Sequence, residues 1–141
     1  MKNNLGVAIA LAAKEFEYKT DKSGEPYIMH CLRVMNGMNT NDEKVIAILH
    51  DVVEDTEVTF EELLNLGFSY GVVADILLLT HENGVPYQEY IHNIGVSPRA
   101  AKVKRADLKD NSDITRLKGL TKKDHDRISK YHTAYTYLKS I

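Results

Sequence analysis

Four ionisable side chains fall within a short stretch of AILHDVVEDT, residues 47–56: His50, Asp51, Glu54 and Asp55. On a continuous helix, residues four apart project about 40° apart and neighbours about 100° apart. Glu54 then stands one turn beyond His50, and Asp55 one turn beyond Asp51, within an arc of about 140° bordering the apolar stripe. A solvated acidic face would carry Lys or Arg partners four residues away, and this stretch has none. Carboxylates packed this closely repel one another and resist dehydration, and a bound cation cancels that cost. The pattern predicts a reaction site built around a positive ion.

A second stretch, SPRAAKVKRADLKDNSDI at 97–114, reads as a helix with Ala100, Val103, Asp107, Asp110, Asn111 and Ile114 on one face. Lys102, Arg105 and Lys109 fall opposite. A carboxylate on the apolar side needs a metal, an arginine or a proton; capping a neighbouring helix or pairing with a lysine would serve Asp107 equally well. His30, in PYIMHCL, also borders an apolar stripe and reads either as a hydrogen-bonded core residue or as a ligand. His81, His92, His125 and His132 read as surface or capping groups. Two histidines with two aspartates make a mixed nitrogen and oxygen set suited to Mn²⁺, Fe²⁺ or Zn²⁺, and too poor in oxygen for calcium. DNSD lacks the glycine of a calcium loop, and there is no Gly-rich phosphate loop, H-E-x-x-H pair or C-x-x-C.

The elements that must carry these groups all show the helical period. Leu5, Ile9, Ala12, Ala13 and Phe16 form one stripe; Ile28, Cys31, Leu32 and Met35 form a second, with Pro26 at its first helical position. Asn41 is expected to cap a third helix that carries Val45, Ile48, Leu49 and Val52 and runs on through the acidic stretch. TFEE at 59–62 has the form of a capping box; Ser69, Pro86 and Ser97-Pro98 start three further helices. A last helix after Thr121 should bury Ile128, Tyr131, Tyr135 and Leu138. The expectation is an all-α, single-domain bundle of about seven to eight helices spanning 1–141.

Composition narrows the function classes. A chain of 141 residues with net charge −2 has no general pull toward nucleic acid, and the basic runs KVKRADLK and TKK lack interleaved aromatics, so they read as solvated faces. No apolar stretch approaches the ~18 residues of a membrane span. The run from Leu5 to Ala13 is short for a signal peptide and suits a first helix. One cysteine, Cys31, reads as a buried apolar residue in a reducing compartment. Together these predict a cytoplasmic protein with a small-molecule partner, no nucleic acid and no membrane.

An isolated His, a distant His-Asp pair and a later Asp resemble the HD-domain metal phosphohydrolases. SGEPYIMH, AILHDVVEDT and VKRADLKDN, in that order, resemble more narrowly the hydrolase domain of the RelA/SpoT family and the small alarmone hydrolases, from about residue 7 to residue 117. The resemblance implies that His30, His50, Asp51 and Asp107 hold one divalent metal, typically Mn²⁺, and that Glu54 and Asp55 orient and deprotonate the attacking water. It further implies that Asn111 and Lys22 approach the nucleotide. Lys104, by projection, lies at the edge of the same face within reach of a phosphate. Phe16 and Lys19 stand where the family often has His and Gln, and Asp21 stands where it usually has an arginine that stacks on guanine.

The implied reaction is removal of the 3′-pyrophosphate from guanosine tetra- or pentaphosphate, by hydrolysis only. Two alternatives stay open. One is an HD phosphohydrolase acting on another nucleotide or a dinucleotide phosphate, which Asp21 favours. The other is a nucleotide-binding module without turnover.

Overall fold

The computed structural model describes residues 2–141. Its helices are α1 (Leu5–Glu15), α2 (Ile28–Asn36), α3 (Asn41–Leu49), α4 (Val52–Asp55), α5 (Phe60–Asn65), α6 (Tyr70–Leu79), α7 (Tyr87–Ile94), α8 (Pro98–Asn111) and α9 (Lys122–Ser140), with a 3-10 turn at Ile114–Arg116. The all-α architecture is as expected. The eight expected helices are present among the described residues, and the single turn α4 is the part of the expected third helix that follows a break within 47–56.

α3 is the hub. Val45, Ile46, Ala47, Ile48 and Leu49 are each 0% exposed, and a helix apolar on every side is one enclosed on every side. α1, α2, α6 and α8 pack around it. The chain leaving Leu49 therefore delivers His50 and Asp51 into the middle of the bundle.

The helix breaks there. The His50 amide reaches back only three residues, to Ala47 O at 3.5 Å, and helical bonding resumes with Asp55 N on Asp51 O at 3.0 Å. An unbroken helix would turn these neighbours about 100° apart. The break lets their side chains meet, with His50 Nε2 3.0 Å from Asp51 Oδ2.

Several boundaries differ from the sequence expectation. Thr40, not Asn41, caps α3, and its box closes with Glu43; the Asn41 side chain instead donates to Asn3 O at 2.9 Å. Pro26 does not open α2. It pairs with Thr20 in an isolated antiparallel bridge, and α2 starts two residues later. The loop between them is a small closed turn, held by Tyr27 N to Lys19 O at 2.9 Å and Asp21 N to Glu25 O at 2.8 Å. Gly24, at φ 87°, supplies the left-handed residue that closes it. Ser69, Ser97 and Thr121 cap α6, α8 and α9 as expected. On α9, Leu138 is buried, but Ile128, Tyr131 and Tyr135 are only half-buried. That helix lies at the edge against α7 and α8, and its tyrosine hydroxyls keep access to water.

Glu43 offers a test of the hub's anchoring. Its Oε1 accepts from Asn39 N at 3.0 Å, Thr40 N at 3.1 Å and Lys102 Nζ at 2.9 Å. Burial opposes its charge, but Lys102 and the two amides win and pull the carboxyl down to about 2. A depressed acid stabilises the fold above its unfolded value and loses that effect as pH falls toward the folded one. Glu43→Ala should cost about 1–2 kcal/mol near pH 7 in urea unfolding, with the difference shrinking between pH 4.5 and about 2. Among the described residues, no helix is long and apolar enough to cross a membrane.

Candidate metal centre

His30 from α2, His50 and Asp51 from the α3–α4 break, and Asp107 from α8 converge. One donor atom from each lies within 4.8 Å of all the others. His30, His50 and Asp107 are 2%, 1% and 4% exposed, so this is an interior cluster and not a surface coincidence.

Each donor is aimed by a neighbour. His50 Nδ1 lies 2.5 Å from Ala47 O; a carbonyl only accepts, so Nδ1 carries the proton and Nε2 faces the cluster. That Nε2 sits 3.0 Å from Asp51 Oδ2 and 3.1 Å from Asp107 Oδ1. Burial disfavours charge on this ring, yet Asp51 and Asp107 raise its proton affinity well above the usual histidine value. The Tyr27 hydroxyl donates to Asp51 Oδ2. Asp107 Oδ1 lies 2.9 Å from His30 Nε2 and accepts from Asn111 Nδ2 at 3.1 Å, and Lys104 Nζ lies 2.9 Å from Oδ2. Burial would raise Asp107, but Lys104 and His50 hold it well below the ordinary carboxylate range.

These contacts test whether a cation fits. His50 Nε2 sits between two carboxylates that favour positive charge on the ring. Buried carboxylates need such charge beside them, and the Lys104 ammonium on Asp107 supplies part of it. A divalent ion among two imidazole nitrogens and two carboxylates meets the same demand, and the mixed donor set suits one.

Around this cluster the other expected residues have mixed placements. Glu54 accepts the His81 amide at 2.6 Å. Loss of hydration raises its carboxyl, Asp51 and Asp55 add to the rise, and the His81 amide and Lys104 oppose it. Asp55 pairs with Lys19 at 3.1 Å. The acidic stretch, which has no Lys or Arg of its own at helical spacing, thus gains a cationic partner from distant sequence. His81 is not a free surface group: its ring stacks on Tyr90 at 4.5 Å, and Nε2 contacts Val85 O at 2.6 Å. Lys104 is neither a solvated residue nor open to the cleft, since its ammonium rests on Asp107.

A cleft of about 430 Å³ adjoins the cluster, with His30, Tyr27 and Asn111 in its wall. Lys19, Lys22, Arg33, Arg116 and Arg127 also line it. Lys22 has no ion pair among the described residues; loss of hydration, then repulsion from Arg127, lowers its proton affinity. Asp21 spends Oδ1 on Ser23 N, Ser23 Oγ and Glu25 N at 2.9, 2.7 and 3.0 Å, so it shapes the loop that carries Lys22. Sequence reasoning left Asp110, Arg33 and Tyr27 without a role. Asp110 lay on the correct face of its helix, one turn from Asp107, but nothing in the sequence paired it with His30.

The helical order and the enclosed His-Asp cluster define an all-α HD fold. No protein-family model matches the chain. It is similar to guanosine-3′,5′-bis(diphosphate) 3′-pyrophosphohydrolases: 34% identical over 104 residues to the Drosophila melanogaster protein MESH1 (66% of this chain, 58% of that one). To MESH1 of Danio rerio it is 36% identical over 98 residues (62% and 54%). A 46-residue segment is 46% identical to the Aquifex aeolicus enzyme of that name, covering 30% of this chain and 7% of that one. The chain thus spans somewhat over half the length of the two MESH1 relatives. The fold is shared with a solved structure described as a metazoan ortholog of SpoT that hydrolyzes ppGpp, at TM-score 0.77 and 24% identity, over 95% of this chain and 84% of that one. The chain thus shares the fold of that structure and is similar in sequence to ppGpp 3′-pyrophosphohydrolases.

Proposed function

We propose that this protein is a metal-dependent nucleotide pyrophosphohydrolase that removes the 3′-pyrophosphate of guanosine tetra- or pentaphosphate. The observation that carries the reading is the convergence of His30, His50, Asp51 and Asp107 beside a cation-lined cleft. These four residues would hold the ion, and Mn²⁺ suits their mixed donors. When bound, such an ion polarises a phosphoryl oxygen and lowers the pKa of water toward neutrality.

The chain's own residues do the rest. Glu54, with its carboxyl raised and one oxygen held by the His81 amide, takes the proton from the attacking water. Asp55, tethered by Lys19, orients that water. Lys22 and the cleft arginines bind the anionic groups of the nucleotide, Asn111 contacts it from the α8 side, and Lys104, held at Asp107, would lend positive charge to a phosphate at the edge of the site. The water oxygen bonds to phosphorus, the bond from phosphorus to the 3′-oxygen breaks, and the departing oxygen takes back the proton that Glu54 accepted.

Asp21 favours a second reading. An anionic residue closes the loop where a base-stacking arginine would stand, which suits an HD phosphohydrolase acting on a nucleotide other than guanosine tetra- or pentaphosphate. Purified protein with Mn²⁺ and a nucleotide panel separates the readings. Pyrophosphate from guanosine tetra- and pentaphosphate, without orthophosphate, is the expected result. Turnover confined to other nucleotides would support the second reading, and tight binding without turnover would leave a binding module.

A further inference from the structure

We propose that Asp110 is a positioning residue for the metal centre: its carboxylate locks the His30 ring with Nδ1 protonated, so that Nε2 is the nitrogen offered to the ion. The inference rests on the divalent-ion reading above and extends it to a residue outside the donor set.

His30 is clamped on both ring nitrogens by one helix. Asp107 Oδ1 lies 2.9 Å from Nε2, and Asp110 Oδ2 lies 2.6 Å from Nδ1. Asp107 and Asp110 are three residues apart on α8, the spacing that puts two side chains on one face. If His30 ligates through the nitrogen that faces Asp107, Nε2 must be free of its proton when the ion is bound, and the remaining proton must reside on Nδ1. Asp110 is what keeps it there.

The clamp is itself fixed. Arg33 forks onto Asp110, with Nε 2.7 Å from Oδ1 and Nη2 3.1 Å from Oδ2. Arg116 Nη2 donates to the Asp110 carbonyl at 2.8 Å. A carboxylate engaged by a forked guanidinium acts only as an acceptor toward the imidazole, which leaves Nδ1 as the donor. The two histidines are therefore locked by different means: His50 by the neutral Ala47 carbonyl, and His30 by a charge. A charged partner makes the imidazole the more basic ligand, and losing such a partner typically weakens metal affinity about 10–100-fold.

The test compares Co²⁺ titrations of the wild-type protein and Asp110→Asn, read by the visible absorption of the bound ion. Expected is wild-type binding with a Kd raised about 10–100-fold in Asp110→Asn. Equal affinity and equal spectra in the two would overturn the positioning role while leaving the metal reading intact. Wild-type protein that takes no ion would end both. A second measurement needs no variant: ¹⁵N chemical shifts of the zinc-loaded wild type should show His30 protonated at Nδ1, and a proton on Nε2 would overturn the proposal.

Discussion

Asp107→Ala is expected to abolish tight divalent-ion binding and also to destabilise the ion-free protein by about 3–5 kcal/mol. The two losses share one cause. Asp107 meets His30, His50 and Asn111 on one oxygen and faces the Lys104 ammonium on the other. Removing it takes away a metal ligand and leaves the Lys104 side chain, 12% exposed, with its charge unpaired. Breaking one partner of a buried pair costs far more than replacing both with apolar groups. Adding Lys104→Met to Asp107→Ala should therefore recover part of the stability in urea unfolding and none of the metal affinity in calorimetry. If Asp107→Ala binds Mn²⁺ like the wild type, Asp107 is not a ligand.

Glu54→Gln separates the ion from the proton transfer. The amide keeps an acceptor for the His81 N–H, so the fold and the ion are expected to survive, while hydrolysis falls roughly 10²–10⁴-fold, the usual contribution of a general base. The pH dependence carries a sign. Burial, with Asp51 and Asp55, raises Glu54 above the ordinary glutamate value, and a base works only when deprotonated. The wild-type rate should fall as pH drops through a point above 4.5, the ordinary glutamate value, and that acid limb should be missing from the residual rate of Glu54→Gln. Single-turnover rates across pH provide the check. An unchanged rate, or loss of the ion as complete as in Asp107→Ala, would remove Glu54 from the role of base.

The fold was legible because local signals were strong. Helical spacing marked α3, and Ser69, Ser97 and Thr121 occupy the caps expected of them. The break at His50-Asp51 was not legible, since periodicity alone reports a helix across it; what breaks it is the tertiary demand that both side chains reach one point. Pro26 misled in the same way. A proline suits a first helical turn and a bridge position equally, and the Thr20 pairing decided the matter. For the centre, the residue types and the two key stretches could be read directly, but their partners could not. Lys19 with Asp55 and His30 with Asp110 are joined across 36 and 80 positions, and no local pattern encodes such pairs. Lys104 shows the limit most clearly: helical projection set it at the edge of the face, yet only packing reveals that Asp107 holds it.

The most direct measurement is an anomalous difference map from crystals grown with Mn²⁺. Expected is one peak in contact with His30, His50, Asp51 and Asp107 together. A map without that peak, or with the ion bound elsewhere while Lys104 still rests on Asp107, would contradict a metal centre at this cluster.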